Sequence, residues 1–121
     1  MSTNDTFLAV YLGSKNGARM AAWHAMPEAE RRAKEQQGMA AWGAWVEKHQ
    51  GVIVEMGGPL GKTKKIDASG TADVVNQLTG FTVVRAPSQE AAAKLFENHP
   101  HFAIFPGDSV EIMPVLPIPG R

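Results

Sequence analysis

Apolar positions in this chain switch between two periods. Phe7 to Gly13 (Phe-Leu-Ala-Val-Tyr-Leu-Gly) is apolar at both parities, the mark of a strand buried on both faces. Ala18 to Met26 predicts a short helix, with Met20, Trp23 and His24 at helical spacing. Pro27 punctuates it and suits the first turn of a longer helix over Glu28 to Gln50. Acidic Glu28 and Glu30 sit near that helix's start and Lys48 and His49 near its end, as the macrodipole favours. Its apolar stripe is Ala41, Trp42, Trp45, Val46 and His49, and Gly38 in mid-helix points to close packing. Val52 to Met56 is a second strand, Gly57 to Gly61 irregular, Lys62 to Asp67 a short accessory strand, and Ala68 to Leu78 a loop.

The stretch Thr79 to Val115 then reads strand, helix, strand. Thr79 to Ala86 is rich in aromatic and β-branched residues and stops at Pro87. Ser88 offers an N-cap hydroxyl, and Ala91, Ala92, Leu95 and Phe96 share one helical face. His99-Pro100 ends that helix, and Ser109 to Val115 is the last strand. The order β, α, β, accessory β, β, α, β predicts an α+β ferredoxin-like βαββαβ fold with both helix layers on one face of an antiparallel sheet.

In the first strand Phe7, Ala9 and Tyr11 oppose Leu8, Val10 and Leu12, and the last two strands are also apolar on both sides. An open apolar face of that size pairs or aggregates. The expectation is a two-fold homodimer through the sheet face. The competing arrangement is a monomer whose proline-rich tail, residues 114–121, covers that face; otherwise the tail runs extended over the surface.

Composition narrows the function classes. A chain of 121 residues makes one domain, here 1–121, with residues 1–5 expected to be disordered. With no cysteine there are no thiolate metal sites, disulfides or thiol nucleophiles. Twelve basic residues balance twelve acidic ones, and the only dense cationic cluster is Lys62, Lys64 and Lys65, so nucleic acid is not an expected partner. No apolar run approaches the ~20 residues of a membrane span, and the polar N-terminus is unlike a signal peptide; a cytoplasmic protein is expected.

The motifs resemble a known family. Ala41-Trp-Gly-Ala-Trp45, Gly57-Gly-Pro-Leu-Gly-Lys-Thr-Lys64, Leu78-Thr-Gly-Phe81 and His99-Pro-His101 before Val110-Glu-Ile-Met-Pro114 are similar, in order, to those of the YCII-related (DGPF) family over about residues 39–117. The resemblance implies a dimeric α+β barrel. It implies little chemistry, although a dehydrochlorinase-like lyase role has been attached to part of the family. Gly57 stands where the family's Asp-Gly-Pro-Phe segment has its aspartate. The helical histidine of smaller members falls near Ala40, so that dyad does not carry over.

Four groups of residues bear candidate chemistry. His99 and His101 suit proton transfer near neutral pH; alternatively His99 caps the preceding helix's C-terminus. Two histidines two apart lack the further ligands a metal site needs, and neither metal nor cofactor is expected. Glu111, in an otherwise apolar strand, is either a desolvated acid catalyst or a solvated edge residue. Gly58, Pro59, Leu60 and Lys64 lie in a glycine-rich segment that misses the spacing of a nucleotide P-loop, leaving a small-anion site or a plain strand connection. Trp42, Trp45 and His49 form either core or the wall of a cleft for a small organic ligand, with Met20, Trp23 and Met26 as a lid. The function expected is small-molecule binding by a homodimer, with metal-free acid/base catalysis by His99, His101 and Glu111; the alternative is a non-catalytic binding or interaction module, for example accessory to a transcription regulator.

Overall fold

The computed structural model describes residues 5–120. Of the N-terminal segment expected to be disordered, residues 1–4 lie outside the described residues, and Asp5 opens strand β1 (Asp5–Leu12). This strand lies inside a four-stranded antiparallel sheet of order β2-β5-β1-β6, where β2 is Ile53–Pro59, β5 Leu78–Ala86 and β6 Ser109–Pro114. Phe7 pairs with Val84, Ala9 with Thr82 and Tyr11 with Gly80, so these positions share one face. That face carries the buried core: Phe7, Ala9, Tyr11 and Val84, joined by Ala92 and Phe96. Trp42 and Trp45 of helix α2 (Glu28–Lys48) pack against it. Each crossover returns to a strand two places away, which gives the interleaved βαβ units of a ferredoxin-like fold.

Helix boundaries follow local chemistry. Helix α1 (Ala18–Ala25) anchors through Trp23, whose ring lies 5.8 Å from that of Phe105. Helix α3 (Gln89–Lys94) starts where Ser88 Oγ accepts the Ala91 N–H. It is shorter than the spacing of Leu95 and Phe96 suggested, and Asn98 at φ 56° turns the chain out of it. A further short helix, α4 (Pro100–Ala103), begins at Pro100, where a missing N–H costs nothing. His99 therefore caps the N-terminus of α4 and not the C-terminus of α3.

The stretch 68–78, read as a loop, holds another strand. β3 (Thr63–Asp67) pairs with β4 (Gly70–Val74) in a separate two-stranded hairpin. β4 carries Gly70, Ala72 and Asp73, which have low strand propensity, so the accessory strand's partner left only a weak local signature.

The other sheet face, turned away from this core, carries an apolar patch with exposed Arg85 and Glu111 on the same face. Leu8 pairs with Val83 and Met113 there; Leu8 and Val83 are half-buried and Met113 is 41 % exposed. The tail does not bury its own apolar side chains, since Leu116 is 73 % and Ile118 66 % exposed. Among the described residues no helix is long and apolar enough to cross a membrane.

Candidate functional site

On the helix side of the sheet lies a cleft of about 660 Å³. The α2 stripe Met39, Trp42, Gly43 and Val46 forms one wall, at the spacing that keeps side chains on one helical face. Met56 to Pro59 and Thr79 to Thr82, at facing ends of β2 and β5, form another. Tyr11, His101 and Phe105 complete it. Among the described residues that line it there is no Lys, Arg, Asp or Glu.

Two glycines shape these walls. A Cβ on Gly38 would sit 2.5 Å from the Phe105 ring, so the helix approaches that ring closely only because position 38 has no side chain. Gly57 has φ +69°, and a Cβ there would meet the Phe81 carbonyl oxygen at 1.9 Å. The aspartate that the resembling motif carries at this position cannot be placed on this backbone.

The polar groups of the cleft form a directed set. Thr82 Oγ1 donates to the Met56 carbonyl at 3.0 Å. A carbonyl only accepts, so the 2.8 Å contact between Tyr11 Oη and Thr82 Oγ1 uses the Tyr11 proton. The Thr79 hydroxyl donates to the Tyr11 carbonyl at 2.8 Å. Burial raises the Tyr11 pKa and the Thr82 hydrogen bond opposes the rise, so the phenol is neutral at physiological pH.

His101 is fixed by the same logic. Its Nε2 lies 2.8 Å from the Leu12 carbonyl, which requires a proton on Nε2. In the neutral ring Nδ1 is then a free lone pair, with no hydrogen bond among the described residues. Burial lowers its pKa; the Leu12 hydrogen bond and the Asp108 charge push it up, and Arg19 pushes it down. The ring sits 5.3 Å from Tyr11 and 6.3 Å from Trp42.

His99 lies behind this wall, fully buried. The rings of Tyr11, Trp42, Trp45 and Phe96 surround it at 4.5 to 5.6 Å. Its Nδ1 accepts the His101 backbone N–H at 3.1 Å, and among the described residues its Nε2 has no hydrogen-bond partner. Burial, then the neighbouring His101 and His49, lowers its pKa to about 3. The ring is neutral at any physiological pH and holds the backbone of His101.

Trp42, Gly58, Pro59 and His101 therefore converge on the cleft. The remaining candidates lie apart from it. Trp45 donates its indole N–H to the Leu95 carbonyl at 2.7 Å, tying α2 to the turn after α3. His49 caps the end of α2 and stacks on Trp45 at 5.0 Å. Leu60 is 43 % exposed, and its N–H donates to the Thr79 carbonyl. Lys64 pairs with Asp73 at 2.7 Å across the hairpin surface. Glu111 is exposed and pairs with Val10, on the sheet face turned away from the cleft. Trp23 packs on Phe105, and neither it nor Met20 or Met26 lines the cleft. Tyr11, Thr82, Phe105 and Met39 are cleft residues that sequence reasoning did not single out. Thr82, a hydroxyl in an apolar strand, was the available signal.

A family model described as the YCII-related domain matches residues 18–119. The chain belongs to the YCII-related family. Among solved structures it is similar to 5-chloro-2-hydroxyhydroquinone dehydrochlorinase (TftG) from Burkholderia phenoliruptrix AC1100, in complex with 2,5-dihydroxybenzoquinone. The match has 18% identity and a TM-score of 0.52, and covers 89% of this chain and 90% of that one. At that identity the likeness shows a shared fold. No curated protein matches the chain. This YCII-related domain thus carries its cleft where sheet, long helix and the His99-Pro-His101 turn meet.

Proposed function

We propose that this YCII-related protein is a homodimer that binds a small, mostly apolar cyclic organic molecule in the cleft and transfers a proton on it, with His101 as the base. The observation that carries this reading is a neutral imidazole, held in one tautomer by the Leu12 carbonyl, on the wall of an otherwise apolar cleft. A base whose pKa is held below neutral is deprotonated and ready. Trp42 and Phe105 supply flat apolar surface for a ring. The structurally similar dehydrochlorinase TftG is in complex with 2,5-dihydroxybenzoquinone, a six-membered quinone, which fits a ligand of this kind. Dimerisation is supported by the apolar patch of Leu8, Val83 and Met113 on the sheet face turned away from the core.

A second reading, binding without catalysis, is favoured by one fact: among the described residues no carboxylate lines the cleft to orient His101. Asp108 acts on His101 through its charge while its carboxylate accepts the Ser14 N–H at 2.9 Å. One experiment separates the two. Neutral aromatic compounds are screened by thermal shift against wild type and Trp42→Ala. Compounds that stabilise only wild type are then followed by NMR in deuterated water. Proton exchange at a ligand carbon that wild type accelerates and His101→Gln does not supports the catalytic reading. Saturable binding with no exchange leaves a binding module, and equal stabilisation of wild type and Trp42→Ala removes the cleft from both.

A further inference from the structure

We propose that Thr82 sets the hydrogen-bond polarity of the cleft, so that it accepts a neutral ring bearing a hydroxyl or N–H donor and disfavours rings offering only carbonyl or carboxylate acceptors. The inference rests on the cleft being a ligand site. Its basis is the direction of the Tyr11–Thr82–Met56 chain. The Met56 carbonyl takes the Thr82 proton, and Thr82 takes the Tyr11 proton. Tyr11 Oη is left with lone pairs only. His101 lines the same cleft, its ring centre 5.3 Å from that of Tyr11, and its Nδ1 is an acceptor too, because the Leu12 carbonyl holds the proton on Nε2. Both polar side chains on this side of the cleft, Tyr11 and His101, therefore ask for a donor.

The indole N–H of Trp42 makes no hydrogen bond among the described residues and can meet an acceptor. A hydroxyl both donates and accepts, so it satisfies Trp42 and the Tyr11 or His101 acceptor alike. A carbonyl satisfies Trp42 alone and faces the Tyr11 lone pairs with its own. A carboxylate adds a charge that no lysine or arginine among the described wall residues neutralises. Thr82 is 2 % exposed and needs no ligand contact to exert this control. It is a specificity-determining residue acting through Tyr11.

The variant Thr82→Val keeps the side-chain shape and frees the Tyr11 proton to turn into the cleft. Dissociation constants are measured by NMR for 4-ethylphenol, acetophenone and benzoate. Wild type is expected to bind 4-ethylphenol about tenfold or more tighter than acetophenone, and benzoate least. Thr82→Val is expected to bring acetophenone level with 4-ethylphenol or ahead of it. Tyr11→Phe is expected to lose the preference for the phenol without gaining acetophenone; if Thr82→Val does not fold, this variant decides. Equal wild-type affinity for phenol and ketone, or an unchanged ratio in a folded Thr82→Val or in Tyr11→Phe, overturns the polarity assignment and leaves the cleft as a ligand site. Binding of none of the three probes overturns both.

Discussion

His99 shows how much one buried side chain constrains this protein. Its folded pKa of about 3 lies below its ordinary 6.5, so the unfolded chain takes up the proton that the folded one refuses. The stability contributed by neutral burial is complete above pH 6.5 and is lost as pH falls towards 3, by up to about 1.4 kcal/mol per pH unit. At pH 5 the loss is about 2 kcal/mol. For His99→Phe at pH 7, losing the cap costs about 1 kcal/mol. Removing an unpaired buried N–H offsets about as much. The two nearly cancel at pH 7, and the titration decides at pH 5. His99→Phe is therefore expected to match wild type within about 1 kcal/mol at pH 7 and exceed it by about 2 kcal/mol at pH 5. Urea midpoints at the two pH values check this; parallel losses in both proteins would count against it.

Among the elements, α2 carries the most telling contact. Alanine at position 38 gains about 1 kcal/mol of helix propensity. It also drives a methyl into the Phe105 ring, already 2.5 Å from where that carbon would be. Overpacking of this kind costs about 1–3 kcal/mol, so the clash wins. Gly38→Ala is expected to lower the melting temperature, and Gly38→Ala with Phe105→Leu to recover most of it. Recovery failing would mean the two residues do not press on each other. Gly57→Asp is expected to be more damaging, because backbone blocks its Cβ and the φ of +69° is unfavourable. Thermal melts should show a larger loss for it than for Gly38→Ala.

Element legibility varied with the kind of signal. The strand around Phe7 was plain from an apolar run at both parities, the strand around Phe81 from aromatic and β-branched residues, and the long helix from period 3.6. Ser88 announced α3 through its cap. The short α4 and the β4 strand left weak local signatures, because proline and glycine residues read as turns. Of the site, Trp42, Gly58, Pro59 and His101 were legible by residue type. Tyr11 and Thr82 were not, since their importance lies in which way protons point along a chain that joins three strands.

At the scale of the molecule, one sheet face bears the core and the cleft, and the other bears Leu8, Val83 and Met113. Joining two copies through the second face leaves both clefts free. Sedimentation at micromolar concentration is expected to give twice the 13.0 kDa chain mass, and Val83→Lys to reduce it to one chain with the fold retained. A single-chain particle for wild type would remove the dimer from the proposal and leave the cleft in place.

The cleft itself is tested most directly by methionine-methyl NMR during a titration with 4-ethylphenol. Met39 and Met56 line the cleft, while Met20, Met26 and Met113 do not. The expected result is saturable shifts at Met39 and Met56, with the other three nearly still. Shifts centred on Met113, or none at Met39 and Met56 while the ligand binds, would contradict the assignment of this cleft as the ligand site.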